Sequence, residues 1–190
     1  DQGLTTDEFM SHAAEGTEHV PEPKRAIRTI PPPVMLAPDP SFRPGSGAMK
    51  VVVIYESRTG NTERAAQLIA ARFAATGHDV KLYPTKGVDL HELSEADLAV
   101  VGTWTDGAVL FGQRPGGGGN IAKYLPTMWD KPTYAFVTYA IRPGGVLRGF
   151  NKLLASKGAK VLGSLELHRK HLDTDAPDFV DGVLAAFTNA

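Results

Sequence analysis

The sequence contains no cysteine. This absence excludes disulfide bonds, thiolate metal sites, iron–sulfur clusters held by cysteine, and cysteine nucleophiles. Any redox chemistry therefore has to use a bound cofactor. A chain without cysteine also fits a reducing compartment, and we expect a cytoplasmic protein.

Long apolar runs and an excess of one charge are also missing. No run approaches the roughly 18 apolar residues of a membrane span, and the opening residues lack the basic and apolar regions of a secretory signal. A net charge of -1 and the lack of an aromatic-basic stripe argue against nucleic-acid binding. The length of 190 residues favours one globular core rather than two.

Proline is concentrated at the start of the chain. Eight of the 14 prolines fall in residues 1–44, where strand-like apolar runs are missing, so this segment cannot form its own core. The sequence predicts a short helix over Thr6–Ala14 and an extended, polyproline II stretch over Ile30–Val34. We expect residues 1–44 to gain order only by lying on another surface.

A Gly-Ser linker, residues 45–48, separates this Pro-rich segment from Met49. Two interpretations stay open. Residues 1–44 are a peptide from a partner protein that has been fused to the domain, or the linker is a natural flexible connection.

Strands and helices alternate regularly from Met49 onward. Continuous apolar runs predict strands buried on both faces, and apolar residues at helical spacing predict the helices between them. This alternation favours an α/β fold with a doubly wound, five-stranded parallel sheet, whose ligands bind at the carboxyl ends of the strands. The predicted strands are Lys50–Tyr55, Asp79–Tyr83, Asp97–Gly102, Thr133–Thr138 and Lys160–Leu167, and the predicted helices are Asn61–Thr76, Leu90–Ala96, Ile121–Leu125, Gly144–Lys157 and Asp178–Phe187.

The loop after the first predicted strand has the composition of a phosphate site. Hydroxyls, backbone amides and a helix N-terminus converge there, which suits a phosphate monoester. The loop has neither the Gly-Lys-Ser/Thr of a Walker sequence nor a GxGxxG, which argues against nucleoside triphosphates and dinucleotides. The alternative is a polar strand-to-helix turn with an ordinary N-cap. The residues of this loop are Ser57, Arg58, Thr59, Gly60, Asn61 and Thr62.

The segment Ile54–Glu63, IYESRTGNTE, resembles the FMN phosphate loop of flavodoxins, and residues 49–190 have the length of a short-chain member. The resemblance implies a flavodoxin-like fold and an FMN cofactor whose phosphate is held by this loop. It also implies that Thr103, Trp104, Thr105, Asp106 and Gly107 form one wall of the flavin site. Trp104 would stack on the ring, and the Asp106-Gly107 peptide would flip on reduction. The alternative is that Trp104 is a core or rim aromatic.

The same resemblance places the other flavin wall in the loop after the fourth predicted strand. Tyr139 would be the second stacking ring there. Arg142 departs from the family pattern, and its charge would either stabilise anionic reduced flavin or be solvated at the surface. The residues of this wall are Thr138, Tyr139, Ala140, Arg142 and Gly144.

Two further features bear on the partner. Residues 49–190 contain 16 Lys plus Arg and 14 Asp plus Glu, an excess of two positive charges, whereas carrier flavodoxins are strongly acidic. The Gly-rich stretch Phe111–Asn120 is either a mobile lid or a spacer, and four consecutive glycines suit no single rigid geometry.

His168 and His171 lack further metal ligands, which favours a solvated basic turn.

Together these features predict FMN-dependent electron transfer to or from a dedicated redox protein partner, which is a possible source of residues 1–44. No catalytic residue is required. One alternative is a flavodoxin-fold quinone or small-molecule reductase that uses NAD(P)H. Another is a flavin-free scaffold that binds a Pro-rich peptide.

Overall fold

The computed structural model describes residues 34–35, 47–107, 113–142 and 144–188. The helix predicted at Thr6–Ala14 and most of the extended stretch at Ile30–Val34 lie outside the described residues. The division of the chain at residues 44 and 48 likewise stays a prediction. Among the described residues, no helix is long and apolar enough to cross a membrane.

The described elements follow the predicted alternation. Two very short strands, β1 and β5, were not predicted. The strands are β1 (Val34–Met35), β2 (Lys50–Tyr55), β3 (Asp79–Pro84), β4 (Leu98–Asp106), β5 (Arg114–Pro115), β6 (Lys131–Tyr139) and β7 (Ala159–His168). The helices are α1 (Asn61–Ala75), α2 (Leu90–Glu95), α3 (Gly118–Tyr124), α4 (Val146–Ser156) and α5 (Leu172–Thr188), with a 3₁₀ turn at Thr85–Gly87.

The five predicted strands form one parallel sheet, in the order β3-β2-β4-β6-β7. This confirms the doubly wound α/β prediction. β1 adds to the β7 edge in the antiparallel direction, with Val34 opposite Ser164 and Met35 opposite Gly163. β5 pairs with the end of β4, also antiparallel.

Two hydrophobic cores lie on the two faces of the sheet. The central strand β2 and the first half of β4, Leu98–Gly102, are mostly apolar and buried, as expected for strands with helices on both faces. On one face, Ile69 and Phe73 of α1 pack with Phe179 and Val183 of α5. On the other, Phe150 of α4 and its neighbours pack against the alternate strand residues.

Several predicted boundaries differ from the structure, and those of β4 and α5 differ most. β4 continues through Asp106 because β5 pairs with Thr105 and Asp106. α5 begins at Leu172, six residues before the predicted start at Asp178, and contains Pro177. Burial of Leu172 and Ala176 offsets the lost backbone hydrogen bond.

Candidate functional site

A pocket of about 260 Å³ opens at the carboxyl ends of the parallel strands, where a doubly wound sheet binds its ligand. Four loops contribute to it, following β2, β4, β6 and β7. The lining residues are Arg58, Thr59, Asn61, Thr62, Trp104, Thr105, Asp106, Gly107, Thr138, Tyr139, Ala140 and Arg169.

The loop between β2 and α1 leaves the start of the helix open to an anion. Gly60 has φ 84° and ψ -16°, a left-handed conformation that glycine adopts at little cost, and no side chain caps the helix. The first amides of α1 therefore lack an intrahelical partner and point out of its N-terminus. Ser57 Oγ accepts from the Gly60 amide at 3.2 Å, and Asn61 Nδ2 donates to Thr59 Oγ1 at 3.1 Å.

One carboxylate stands in the first turn of α1, and Tyr55 contacts it. The Tyr55 hydroxyl donates to Glu63 Oε1 at 3.1 Å. Burial, together with the bond to Glu63, raises the pKa of Tyr55 and keeps its hydroxyl protonated at neutral pH. Glu63 bonds to Tyr55 and no side chain caps the helix, so the backbone amides of the first turn are available to a ligand.

A buried pair of hydroxyls joins the first loop to the third. Thr62 Oγ1 and Thr138 Oγ1 lie 2.9 Å apart, and both side chains are almost fully buried. Thr138 Oγ1 also lies 3.5 Å from the Thr103 carbonyl. The pair holds α1 against the end of β6 and so sets the width of the pocket.

Replacing Thr62 with valine is expected to lower the free energy of unfolding by about 1 kcal/mol, because a buried hydrogen bond is lost at constant side-chain shape. Thr127→Val, at an exposed hydroxyl, should change it by less than about 0.5 kcal/mol. Urea denaturation of both variants measures the difference. Equal effects would show that the buried pair does not tie the two loops.

Trp104 lines the pocket and packs on the glycines that follow β5. A Cβ on Gly116 would overlap the Trp104 indole, and a Cβ on Gly117 would lie 2.5 Å from Glu56 Cγ and 2.9 Å from Trp104 Cη2. The Gly116 amide donates to the Trp104 carbonyl at 2.6 Å, and Thr103 Oγ1 donates to the Gly116 carbonyl. The indole is thus held by backbone that only glycine allows.

The packing under Trp104 accounts for the conformations of the four consecutive glycines. Gly116 and Gly117 form the turn under the indole, with φ 63° at Gly117, and Gly118 and Gly119 begin α3. The prediction that these glycines suit no single geometry is wrong, and the helix begins three residues before the predicted Ile121. The preceding residues, 108–112, lie outside the described part of the chain.

An unpartnered hydroxyl lies in the pocket wall. Among the described residues, Thr105 Oγ1 is one of two buried side-chain atoms without a hydrogen-bond partner. Since a buried unpaired hydroxyl costs about 1–3 kcal/mol, a polar ligand in this pocket would relieve it. The next residue is Asp106. Its Oδ1 lies 3.8 Å from Arg58 Nη1, and its Oδ2 lies 3.6 Å from Arg114 Nε.

The loop after β6 presents Tyr139 and Ala140 to the pocket, and the turn after β7 supports them. The Tyr139 and His168 rings meet edge to face with centroids 5.1 Å apart. A ring nitrogen of His168 lies 2.9 Å from the Ala140 carbonyl, and the Arg169 amide donates to the Tyr139 carbonyl at 3.0 Å.

Eleven of the predicted cofactor-binding residues line the pocket, and five do not. Thr103 is buried under the glycine turn, and Arg142 is exposed on the rim. Gly144 lies against the side chain of Gln113, which donates to the Arg142 carbonyl at 2.7 Å. Ser57 and Gly60 lie in the loop between β2 and α1, where the Gly60 amide donates to Ser57 Oγ.

Arg169 lines the pocket but was not predicted, because the turn after the fifth strand was interpreted as a solvated basic turn. Its position after a parallel strand was the signal that could have identified it. No group of three or more His, Cys, Asp or Glu capable of holding a metal occurs among the described residues.

A comparison with protein families matches residues 52–161, more than half of the chain, to a family described as a flavodoxin domain. The chain belongs to the flavodoxin family. The match begins in the first parallel strand and includes the loops after β2, β4 and β6. Family membership supports a flavin-binding role in electron transfer. No curated protein gave a significant match.

Solved flavodoxin structures share the fold. Two-electron reduced flavodoxin from Megasphaera elsdenii is 22% identical with a TM-score of 0.54, covering 73% of this chain and 98% of that one. Oxidised flavodoxin 2 from Bacillus cereus is 23% identical with a TM-score of 0.53, covering 73% and 97%. A mutant flavodoxin from Pseudomonas aeruginosa is 20% identical with a TM-score of 0.53, covering 73% and 98%.

Proposed function

We propose that this flavodoxin binds FMN and transfers electrons to or from a dedicated protein partner. The observation that carries the proposal is the combination of an uncapped helix N-terminus and a pocket wall with an unpartnered buried hydroxyl, Thr105 Oγ1. The first fits a phosphate and the second fits a polar ring system.

The residues present fit FMN at both ends. Thr59, Asn61 and Thr62 would hold the phosphate with hydroxyls and amides, and Trp104 and Tyr139 would border the flavin ring. Bound FMN supplies the capacity to take up and release electrons. The protein selects the redox state that its loops bind more tightly, at about 1.4 kcal/mol per tenfold affinity ratio.

Electron transfer requires fewer reactive side chains than a reaction that makes and breaks covalent bonds. The chain has to fix the cofactor, exclude water from part of it and leave one edge accessible to the partner. Trp104, anchored on Gly116 and Gly117, and Tyr139, anchored by His168, are suited to the first two tasks. No acid-base residue is needed beside the ring.

Reduction without oxygen distinguishes the carrier from a reductase of the same fold. The FMN-loaded full chain should stay oxidised when NADH or NADPH is added alone. It should become reduced once a catalytic amount of a flavodoxin reductase is supplied with NADPH. Visible absorbance of the flavin measures both. Multiple-turnover oxidation of NADPH by the chain alone would overturn the carrier proposal and favour the reductase.

A further inference from the structure

Three exposed cations lie beside the pocket without lining it. Arg114 belongs to β5, Arg142 follows β6, and Lys170 follows β7. None of the three is among the lining residues, so a cofactor in the pocket does not account for their charge. Ile141, directly before Arg142, is 79% exposed. We refer to Arg114, Ile141, Arg142 and Lys170 as the basic face.

Hydrogen bonds between neighbouring turns bring the basic face together. Gln113 Nε2, one residue before the arginine of β5, donates to the Arg142 carbonyl at 2.7 Å. His168 Nε2 lies 2.9 Å from the Ala140 carbonyl oxygen, and His168 Nδ1 accepts from the Lys170 amide at 3.3 Å. These contacts hold the three cations beside one another at the pocket mouth.

Carboxylates near the pocket offset this charge only in part. Asp106 is shared by two arginines, since its Oδ2 lies 3.6 Å from Arg114 Nε and its Oδ1 lies 3.8 Å from Arg58 Nη1. The Asp106 side chain is 32% exposed, whereas those of Arg58 and Arg114 are 70% and 80% exposed. Three further carboxylates at this end of the sheet are bonded within the domain, Glu56 to Asn120, Glu63 to Tyr55 and Asp173 to Arg64.

The positive charge of the basic face is a local property. The whole chain has a net charge of -1, so its charges are unevenly distributed. An uneven distribution of this kind orients a charged partner during the encounter and raises the association rate. The surface beside the pocket therefore favours an acidic partner.

Ile141 favours a protein over a nucleic acid as the occupant. Protein interfaces place apolar side chains inside a polar rim, and an exposed isoleucine among cations matches that arrangement. Hydrated phosphates of a nucleic-acid backbone would leave this side chain uncovered. The cations also cluster beside a pocket instead of forming the basic stripe that is typical of nucleic-acid binding.

We propose that the basic face docks an acidic electron-transfer protein. This inference rests on the proposed function, because it specifies the charge of the partner that exchanges electrons with the flavin. Carboxylates of the partner would pair with Arg114, Arg142 and Lys170, and an apolar side chain would cover Ile141. Docking there brings the redox centre of the partner to the mouth of the pocket.

Docking is measured first without electron transfer. Isotope-labelled full chain, without FMN, is titrated with an oxidised plant-type [2Fe–2S] ferredoxin, used as an acidic probe. At low salt, the ferredoxin should perturb the amide signals of Ile141, Arg142 and Lys170. At about 1 M salt, where the Debye length is about 3 Å, the perturbation should disappear. Unperturbed signals at low salt would overturn the proposal.

Two further probes define the occupant. A basic c-type cytochrome should leave the same amide signals unchanged at low salt, because like charges face each other. A short DNA duplex should bind the basic face more weakly than the ferredoxin does at the same salt concentration. Perturbation by the cytochrome equal to that by the ferredoxin, or tighter binding of the duplex, would overturn an acidic protein as the partner.

Charge reversals supply the controls. Arg142→Glu with Lys170→Glu should weaken ferredoxin binding by about tenfold or more, because repulsion replaces attraction at the contact. Lys123→Glu with Lys152→Glu makes the same change in net charge at exposed positions of α3 and α4 and should weaken binding far less. Equal losses in the two variants would show that net charge, and not the basic face, attracts the probe.

The rate of electron transfer tests the same surface in the FMN-loaded chain. Reduced ferredoxin is mixed without oxygen with the oxidised chain, so that the cluster gives up one electron and the flavin takes it up. The second-order rate constant should fall with rising salt and should be about tenfold or more lower for Arg142→Glu with Lys170→Glu. A rate constant that rises with salt, or that the reversal leaves unchanged, would overturn the proposal. A chain that docks the ferredoxin but takes up no FMN would contradict the proposed function and leave the docking surface standing.

Discussion

Riboflavin, which lacks the phosphate of FMN, should bind this chain at least about 100-fold more weakly than FMN. Each hydrogen bond from a backbone amide or hydroxyl to the charged phosphate contributes about 1.5–3 kcal/mol, and two such bonds at the α1 N-terminus already give a hundredfold ratio. Quenching of flavin fluorescence, titrated with each compound against the full chain, measures both affinities.

The same titration locates the preference in the loop after β2. Thr59→Val should weaken FMN binding and leave riboflavin binding nearly unchanged, because the Thr59 hydroxyl lines the pocket beside the uncapped amides. Equal affinities of the unaltered chain for the two flavins would contradict the assignment of this loop as a phosphate site.

Gly116→Ala should reduce FMN affinity by about tenfold or more and lower the thermal midpoint. The added methyl group overlaps the Trp104 indole, which either moves into the pocket or forces the glycine turn apart, and overpacking of this kind costs about 1–3 kcal/mol. FMN titration and thermal denaturation of the variant measure the two effects.

Gly119→Ala is the matched control. Its Cβ would meet nothing within 4 Å, and the position lies inside α3, where alanine is favoured over glycine by about 0.8–1.0 kcal/mol. FMN affinity should stay the same, and the thermal midpoint should stay the same or rise. Similar losses in both variants would mean that the indole does not depend on Gly116.

The loop after β2 could be predicted from sequence because its whole geometry is local. Ser57 to Thr62 are consecutive, they follow a buried strand, and they open a helix. Gly77 and Gly158 were predictable helix ends for the same reason, and both have the positive φ of a glycine that follows a helix. The order of strands and helices likewise follows from local apolar periodicity.

The support of Trp104 could not be predicted, because it depends on contacts distant in sequence. Gly116 is twelve residues from Trp104, and only the pairing of β5 with the end of β4 brings its backbone under the indole. The four glycines alone indicated flexibility. In the fold, their missing side chains are what lets a large ring pack closely on the turn.

Arg169 and the start of α5 show the same limit. The Arg169 amide donates to the Tyr139 carbonyl, a contact between the ends of neighbouring strands that composition does not reveal. The helix was predicted to start at Asp178, whereas α5 starts at Leu172. Arg64 Nη2 donates to both carboxylate oxygens of Asp173 at 2.8 Å and so ties the first turn of α5 to α1. Tertiary packing outweighs the local preference there.

Titration of the full chain with FMN, followed by visible absorbance and flavin fluorescence, tests the central claim most directly. The account predicts one FMN per chain, a coloured protein that keeps its flavin bands on gel filtration, and quenched fluorescence as the ring enters the pocket between Trp104 and Tyr139. A colourless, folded chain that leaves added FMN free would contradict the redox function and leave only the fold.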